Sequence, residues 1–181
     1  MTQFITGTFS DAAPANNAVG EIVATGRSLR DISVIMSGET QVRFWGAPPS
    51  ARTQSSSAAQ GGNRTAVAGG PIGTILAGAS QSDAVATMVV GSGTLMRFVV
   101  AGPAAAVLAD DPRDSASGGS TLQALARRLG MQQYDAEQLE REASSGAIVV
   151  GITTRNGERA TVWRILHGNA VRHVMETLTA S

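Results

Sequence analysis

The stretch AIVVGIT at residues 147–153 decides the fold prediction, because it is the clearest strand in the sequence. Apolar and β-branched residues fill this stretch, and the turn formers at residues 144–146 precede it. Asn156 can then cap a helix whose apolar residues lie at residues 160–166. Residues 171–178 follow as a predicted last strand. The C-terminal end of the chain therefore predicts a β-α-β unit.

The N-terminal end predicts the same order of elements. Residues 3–9, QFITGTF, favour a strand, and Ser10 and Asp11 are natural N-caps for the helix that follows. Apolar residues recur at helical spacing in that helix until Gly26 ends the pattern. Residues 32–36, ISVIM, then predict a second buried strand.

Two β-α-β units can pack as one antiparallel sheet with both helices on one face, which is the ferredoxin-like arrangement. We therefore expect an α+β fold, a ferredoxin-like split β-α-β sandwich. Residues 1–37 and 146–181 together should form the core domain. Residues 38–145 should form a long Gly/Ala-rich and largely helical insertion.

The insertion divides by composition. Residues 46–70 consist mainly of Ser, Ala, Gly, Pro and Gln, which predicts a flexible arm without a core of its own. Residues 71–109 mix small residues with Val, Met, Leu and Phe, which favours a tightly packed helical hairpin. Helices are expected over residues 121–144, where Asp135 and Gln138 have the spacing of a capping box.

The composition is that of a globular protein without a strong electric field. The chain has 181 residues, of which 43% are hydrophobic, and its 14 basic and 14 acidic residues give a formal net charge of zero. Nucleic acid is therefore not an expected partner, whereas zero net charge favours self-association. The absence of cysteine excludes disulfides and thiol redox sites. A basic region typical of a secretory signal is not evident, so the cytoplasm is the expected location.

Residues 84–108 are long enough to cross a bilayer as a helix, but Arg97 lies near their centre. An arginine at that depth costs roughly 2.5–3.5 kcal/mol on insertion scales. We therefore favour burial in an assembly, or contact with a membrane surface, over a membrane span. If buried, this guanidinium should pair with Asp83, Asp110 or Asp111.

Candidate chemical sites are few. His167 and His173 are the only histidines, and neither has an evident metal or catalytic partner nearby in the sequence. Residues 91–93, GSG, lack the third glycine of a dinucleotide loop, and Pro112 interrupts the acidic run at residues 110–114. We therefore predict no catalytic, cofactor or metal site, and a protein that is not an enzyme.

The two tryptophans have different expected roles. Trp163 and Trp45 are too scattered to form a stacking platform for single-stranded nucleic acid. Trp163 is expected in the core. Trp45 precedes the predicted arm and is expected to anchor that arm to a neighbouring molecule.

Three segments carry a family resemblance: residues 4–9 (FITGTF), residues 99–106 (VVAGPAAA) and residues 129–150, which lead through DAE to SGAIVV. On these segments the chain resembles a bacterial family of heat-induced general stress proteins, whose members carry a glycine-zipper middle between two α/β ends. The resemblance implies a stress-associated, non-enzymatic protein with membrane contact, and it transfers no catalytic residue. The Ser/Gln-rich insert at residues 53–62 and Arg97 depart from the family pattern.

Self-assembly is the leading functional prediction. A low-charge chain with an extended arm and a Gly/Ala-rich apolar middle has surface that lacks an obvious internal partner. We expect a homo-oligomer or larger particle whose interface includes Trp45, Arg97, Phe98, Gly102 and Pro103. The alternatives are a small-molecule-binding regulatory module, by analogy with other ferredoxin-like domains, and a peripheral membrane-associated stress protein.

Overall fold

The computed structural model describes residues 2–46, 70–79, 85–90, 96–109, 121–155 and 157–179. In chain order the elements are β1 (Thr2–Phe9), α1 (Ala12–Ala24), a 3-10 turn (Leu29–Asp31), β2 (Ile32–Ser37), α2 (Gly38–Trp45), α3 (Pro71–Ala79), β3 (Val85–Val90), β4 (Met96–Ala101), α4 (Pro103–Ala109), α5 (Thr121–Arg128), α6 (Gln133–Ser144), β5 (Ile148–Arg155), α7 (Arg159–Gly168) and β6 (His173–Thr179). The fold is mixed α/β.

All six strands form one antiparallel sheet in the order β3-β4-β2-β5-β1-β6. Strand β5, which contains the stretch that decides the prediction, lies between β1 and β2. Its Ile152 is opposite Ile5 on one side and opposite Ile32 on the other. Helices cover both faces of the sheet, which is why β5 is a nearly continuous apolar run.

Each face of the sheet has its own hydrophobic core. The first core packs α1, α3 and α7 against one face, and the second core packs α4, α5 and α6 against the other. Successive residues of β5 alternate between the two cores, with Ile148 and Val150 in the first and Val149 in the second. Helix α7 lies so close to β1 that a Cβ on Gly7 would come within 2.9 Å of Leu166 Cδ2.

The turn between β4 and α4 is fixed by close backbone contact with β2. Gly102 has a φ of +83°, and a Cβ at that position would lie 2.2 Å from the carbonyl oxygen of Ile32. The backbone N–H of Ala104 donates a hydrogen bond of 3.0 Å to Ser33 Oγ, and both residues are buried. The buried Ser33 hydroxyl thus satisfies an N–H group in the first turn of α4.

The elements predicted for the two ends of the chain are confirmed as β1, α1, β2, β5, α7 and β6. The helices predicted over residues 121–144 are confirmed as α5 and α6. Helix α6 begins at Gln133 with Gln132 at its N-cap, so the capping box predicted at Asp135 is wrong. Asn156 lies outside the described residues, and Glu158 holds the N-cap position of α7.

The helical hairpin predicted for residues 71–109 is wrong in its central part. Its ends are helical, as α3 and α4, but residues 85–90 and 96–101 form the antiparallel strands β3 and β4. The physical reason is the open edge of β2, where β4 pairs its residues 98–101 with residues 34–37. Strand pairing there satisfies backbone groups on both strands, and the valine-rich segments suit a sheet.

Two further parts of the predicted insertion are residues 38–45, which form a helix, and the predicted arm that follows them. Helix α2 at residues 38–45 was not predicted, although Ser37 is a good N-cap and its Oγ accepts a 3.1 Å hydrogen bond from the Thr40 N–H. The predicted arm at residues 46–70 lies outside the described residues except for Gly46 and Gly70. Among the described residues, no helix combines the length and apolarity required to cross a membrane.

Candidate functional site

Two of the predicted interface residues, Trp45 and Phe98, pack in different cores on opposite faces of the sheet. Trp45 ends α2, is half-buried and packs against the first core together with Phe44. The two rings meet edge to face with their centroids 5.8 Å apart, and the guanidinium carbon of Arg43 lies 5.0 Å from the Phe44 centroid. The indole N–H of Trp45 is buried and has no hydrogen-bond partner among the described residues.

Phe98 is a correction to the interface prediction. Its side chain is 1% exposed and packs in the second core, because alternation along β4 directs it toward α4 and α5. Position 102 must be glycine because a side chain there would collide with the backbone of Ile32. Pro103 is the first residue of α4. Arg97 pairs with Val89 in the strand register. The acidic partners proposed for Arg97 lie outside the described residues.

The apolar middle has an internal partner, contrary to the reasoning behind the predicted interface. Ile72 and Ile75 of α3 are buried in the first core, and Val100, Ala104 and Ala105 are buried in the second. The small residues allow α4 to lie close to the sheet. Burial within the chain therefore accounts for these residues without a second subunit.

The two histidines occupy separate elements and are both exposed. His167 lies on α7, where its ring stacks on Trp163 with centroids 4.7 Å apart and an interplanar angle of 15°. Trp163 is half-buried at the edge of the first core, so its core prediction holds only in part. His173 begins β6, opposite Thr8. The described residues contain no cluster of three or more His, Asp or Glu side chains that could hold a metal ion.

Most of the buried hydroxyl groups of the described residues form hydrogen bonds with backbone N–H or C=O groups. Ser33 and Ser37 bind N–H groups at the starts of α4 and α2. Thr177 Oγ1 donates to the carbonyl oxygens of Phe4 (3.1 Å) and Leu129 (3.2 Å). Thr8 Oγ1 is buried without a partner among the described residues. None of these contacts pairs a hydroxyl with a histidine or carboxylate, so no activated nucleophile is formed by them.

A groove of about 540 Å³ lies between α1 and the start of α3. Asn16 forms part of it, and its Oδ1 accepts a 3.0 Å hydrogen bond from the Ile72 N–H at the start of α3. A Cβ on Gly70 would lie 2.4 Å from that same oxygen, so glycine is needed for this approach. The groove is lined by Ala13, Asn16, Asn17, Gly20, Glu21, Gly70 and Pro71.

The groove offers amide groups and one carboxylate. Asn17 and Glu21 are exposed on α1, and Glu21 Oε1 accepts a 3.2 Å hydrogen bond from Asn169 Nδ2. A ligand that donates hydrogen bonds would suit these acceptors. The groove was not predicted from the sequence. The available signal was a pair of asparagines inside an alanine-rich helix, where Asn is otherwise unfavourable.

Strand β6 forms one end of the sheet and pairs only with β1 among the described strands. Its seven residues present a row of backbone donors and acceptors on the outer side. Glu176 of β6 is bound to Arg159 of α7, with 2.7 Å between the oxygen and nitrogen. The carboxylate of Glu176, which could repel a strand that approaches this edge, is therefore paired with Arg159 of the same chain.

Comparison with known proteins gave no significant match to a protein-family model, a curated protein or a solved structure. The resemblance to heat-induced stress proteins accordingly stays a prediction.

Proposed function

We propose that the protein is a non-enzymatic, stress-associated structural protein with a ferredoxin-like core, and that it self-assembles into a homo-oligomer. The core proposal is supported by the order β6-β1-β5-β2 within the sheet, with α1 between β1 and β2 and α7 between β5 and β6. This is the β-α-β-β-α-β pattern, into which the segment from α2 to α6 is inserted.

The observation that carries the assembly proposal is the outer side of β6, which pairs with no other described strand. An edge strand is a template for pairing with another chain unless its sequence prevents it. Two copies of β6 can pair antiparallel about a two-fold axis and join two sheets into one. Zero formal net charge removes the overall repulsion that opposes such an association.

Hydrogen exchange at two protein concentrations tests this proposal. We expect the outward-facing N–H groups within His173–Thr179 to become more protected as concentration rises, because pairing removes these donors from water. The N–H groups of α1 serve as the internal control, since they are bonded within their helix at either concentration. Protection of β6 that is independent of concentration would argue against pairing at this edge.

A pair of proline variants sharpens the test. Successive N–H groups of a strand point to opposite sides, so Val174→Pro and Met175→Pro remove donors on opposite sides of β6. The variant that loses the outer donor should keep its circular dichroism spectrum and lose the association that is made through this edge. The other should unfold, because it breaks a hydrogen bond to β1. A folded variant that still associates like the parent would refute edge pairing.

The groove between α1 and α3 supports a second candidate function, the binding of a small molecule. Gly20 lines this groove, and a Cβ on Gly20 would lie 3.8 Å from its nearest neighbour, Pro71 Cγ. Gly20→Leu should therefore fill the groove while leaving the fold intact. A compound that raises the thermal midpoint of the parent but not of Gly20→Leu would support binding there. A library without such a compound would count against it.

A further inference from the structure

Helices of opposite charge lie on opposite faces of the sheet. Helix α6, over the second core, carries four acidic residues and one basic residue: Asp135, Glu137, Glu140, Glu142 and Arg141. Helix α7 and the segment that follows it, over the first core, carry three arginines, Arg159, Arg164 and Arg172, and Glu158 precedes the helix as the one acidic residue. We name these the acidic surface and the basic surface.

The apolar sides of both helices are used inside the chain. Helix α6 buries Ala136, Leu139 and Ala143 against the sheet. Helix α7 buries Val162 and Leu166. Most of the charged side chains therefore lie away from these apolar sides, on opposite faces of the molecule. Glu142 is the exception, because its Oε2 is buried.

Few of these charges are neutralised within the described part of the chain. None of the four carboxylates of α6 forms an ion pair with a described residue. Glu137 and Glu140 instead accept hydrogen bonds from the neutral side chains of Gln133 and Gln123. On the basic surface, Glu158 is bound by Arg27 and Arg159 by Glu176, but no described carboxylate pairs with Arg164.

Each surface also carries an aromatic side chain. Tyr134 on α6 is 68% exposed, and it lies three positions before Glu137, on the same side of the helix. On α7 the stacked rings of Trp163 and His167 lie beside Arg164. Tyr, Trp and Arg are enriched among the residues that contribute most to binding at protein interfaces.

We propose that the acidic surface of one copy binds the basic surface of the next copy. This inference rests on the proposed self-assembly and names a second contact for it. The contact is heterologous, so it generates a stack or a ring rather than a closed pair. A second copy is favoured over nucleic acid or a lipid surface because one chain supplies both signs of charge and has zero formal net charge.

Two double variants test the contact. Glu137→Lys with Glu140→Lys makes the acidic surface basic, and Arg164→Glu with Arg172→Glu makes the basic surface acidic. Each variant then presents two surfaces of like charge. Asp31→Lys with Glu39→Lys is the matched control for the first variant, since it makes the same change in net charge at exposed positions outside both surfaces. Folding is checked by circular dichroism.

Light scattering follows the particle mass in about 50 mM and about 500 mM NaCl, because salt screens exposed charges. We expect the parent and the control to form stacks that are at least about tenfold weaker at the higher salt. Each surface variant alone should stop at the small oligomer, and an equimolar mixture of the two should recover larger particles.

The outcomes separate this contact from self-assembly itself. A particle mass that does not depend on salt, or folded surface variants that assemble like the parent, would overturn the charged contact. Either result would leave the proposed edge pairing of β6 unaffected. A parent that is monomeric at low salt would overturn both. If such a monomer bound phosphatidylserine vesicles and lost this binding with Arg164→Glu and Arg172→Glu, the basic surface would be a lipid-binding surface instead.

Discussion

Gly102→Ala should be strongly destabilising, because it places a methyl group where the backbone of β2 already lies. The new Cβ would lie 2.2 Å from the Ile32 carbonyl oxygen and 3.1 Å from Ser33 Cα. A left-handed backbone costs alanine about 1 kcal/mol, and moving α4 away from Ser33 leaves the buried Ala104 N–H unpaired, at a further cost of about 1–3 kcal/mol. We expect a total loss of about 3 kcal/mol.

Gly26→Ala is the matched control. Gly26 also has a positive φ, +94°, but a Cβ there would meet nothing within 4 Å. Gly26→Ala should therefore lower the free energy of unfolding by only about 1 kcal/mol, the cost of a left-handed backbone at alanine. Urea unfolding followed by circular dichroism measures both losses, provided that the slope against denaturant stays constant. Equal losses in the two variants would refute the close contact between the β4–α4 turn and β2.

Three further substitutions test other contacts, each by the same unfolding assay. Asn16→Ala should lower the free energy of unfolding by about 1–2 kcal/mol, because the Ile72 N–H loses its acceptor. A loss below about 0.3 kcal/mol would contradict the role of Asn16 in capping α3. Gly151→Ala should cost about 1–3 kcal/mol, because its Cβ would lie 2.3 Å from Phe4 Cζ; a neutral result would mean that the buried ring moves freely. Ala170→Gly should stabilise the protein by up to about 1 kcal/mol, because Ala170 has a φ of +54° and glycine relieves that strain; a loss of stability would contradict this.

The ends of the chain could be predicted because their strands and helices carry clear local signals. Residues 148–152 are buried on both sides of the sheet, so their apolar run is visible without tertiary information. The first helix has an N-cap at Asp11 and a terminating glycine at Gly26, as the pattern indicated.

The middle could not be assigned in the same way. A run of small residues with valine, such as residues 85–90, fits either a buried helix or a strand by periodicity alone. The deciding factor is the free edge of β2, which only the assembled sheet provides. Helix propensity is weak where residues such as Val85 and Val89 are β-branched, so pairing prevails.

The candidate surfaces depend on contacts between distant parts of the chain. The groove requires Asn16 to meet the start of α3 at Ile72, 56 positions later in the sequence. The acidic composition of α6 is visible in the sequence, but its placement opposite α7 follows only from the two-sided sheet. Phe98 was assigned to an interface because its strand, and hence its direction, was not predicted.

Light scattering coupled to size exclusion tests the central claim of self-assembly most directly. We expect a mass that is a multiple of the 18.5 kDa chain, and that falls toward one chain in the folded proline variant of β6 at about 500 mM NaCl, where salt screens the charged contact. A mass of 18.5 kDa for the parent at every concentration and salt would contradict it.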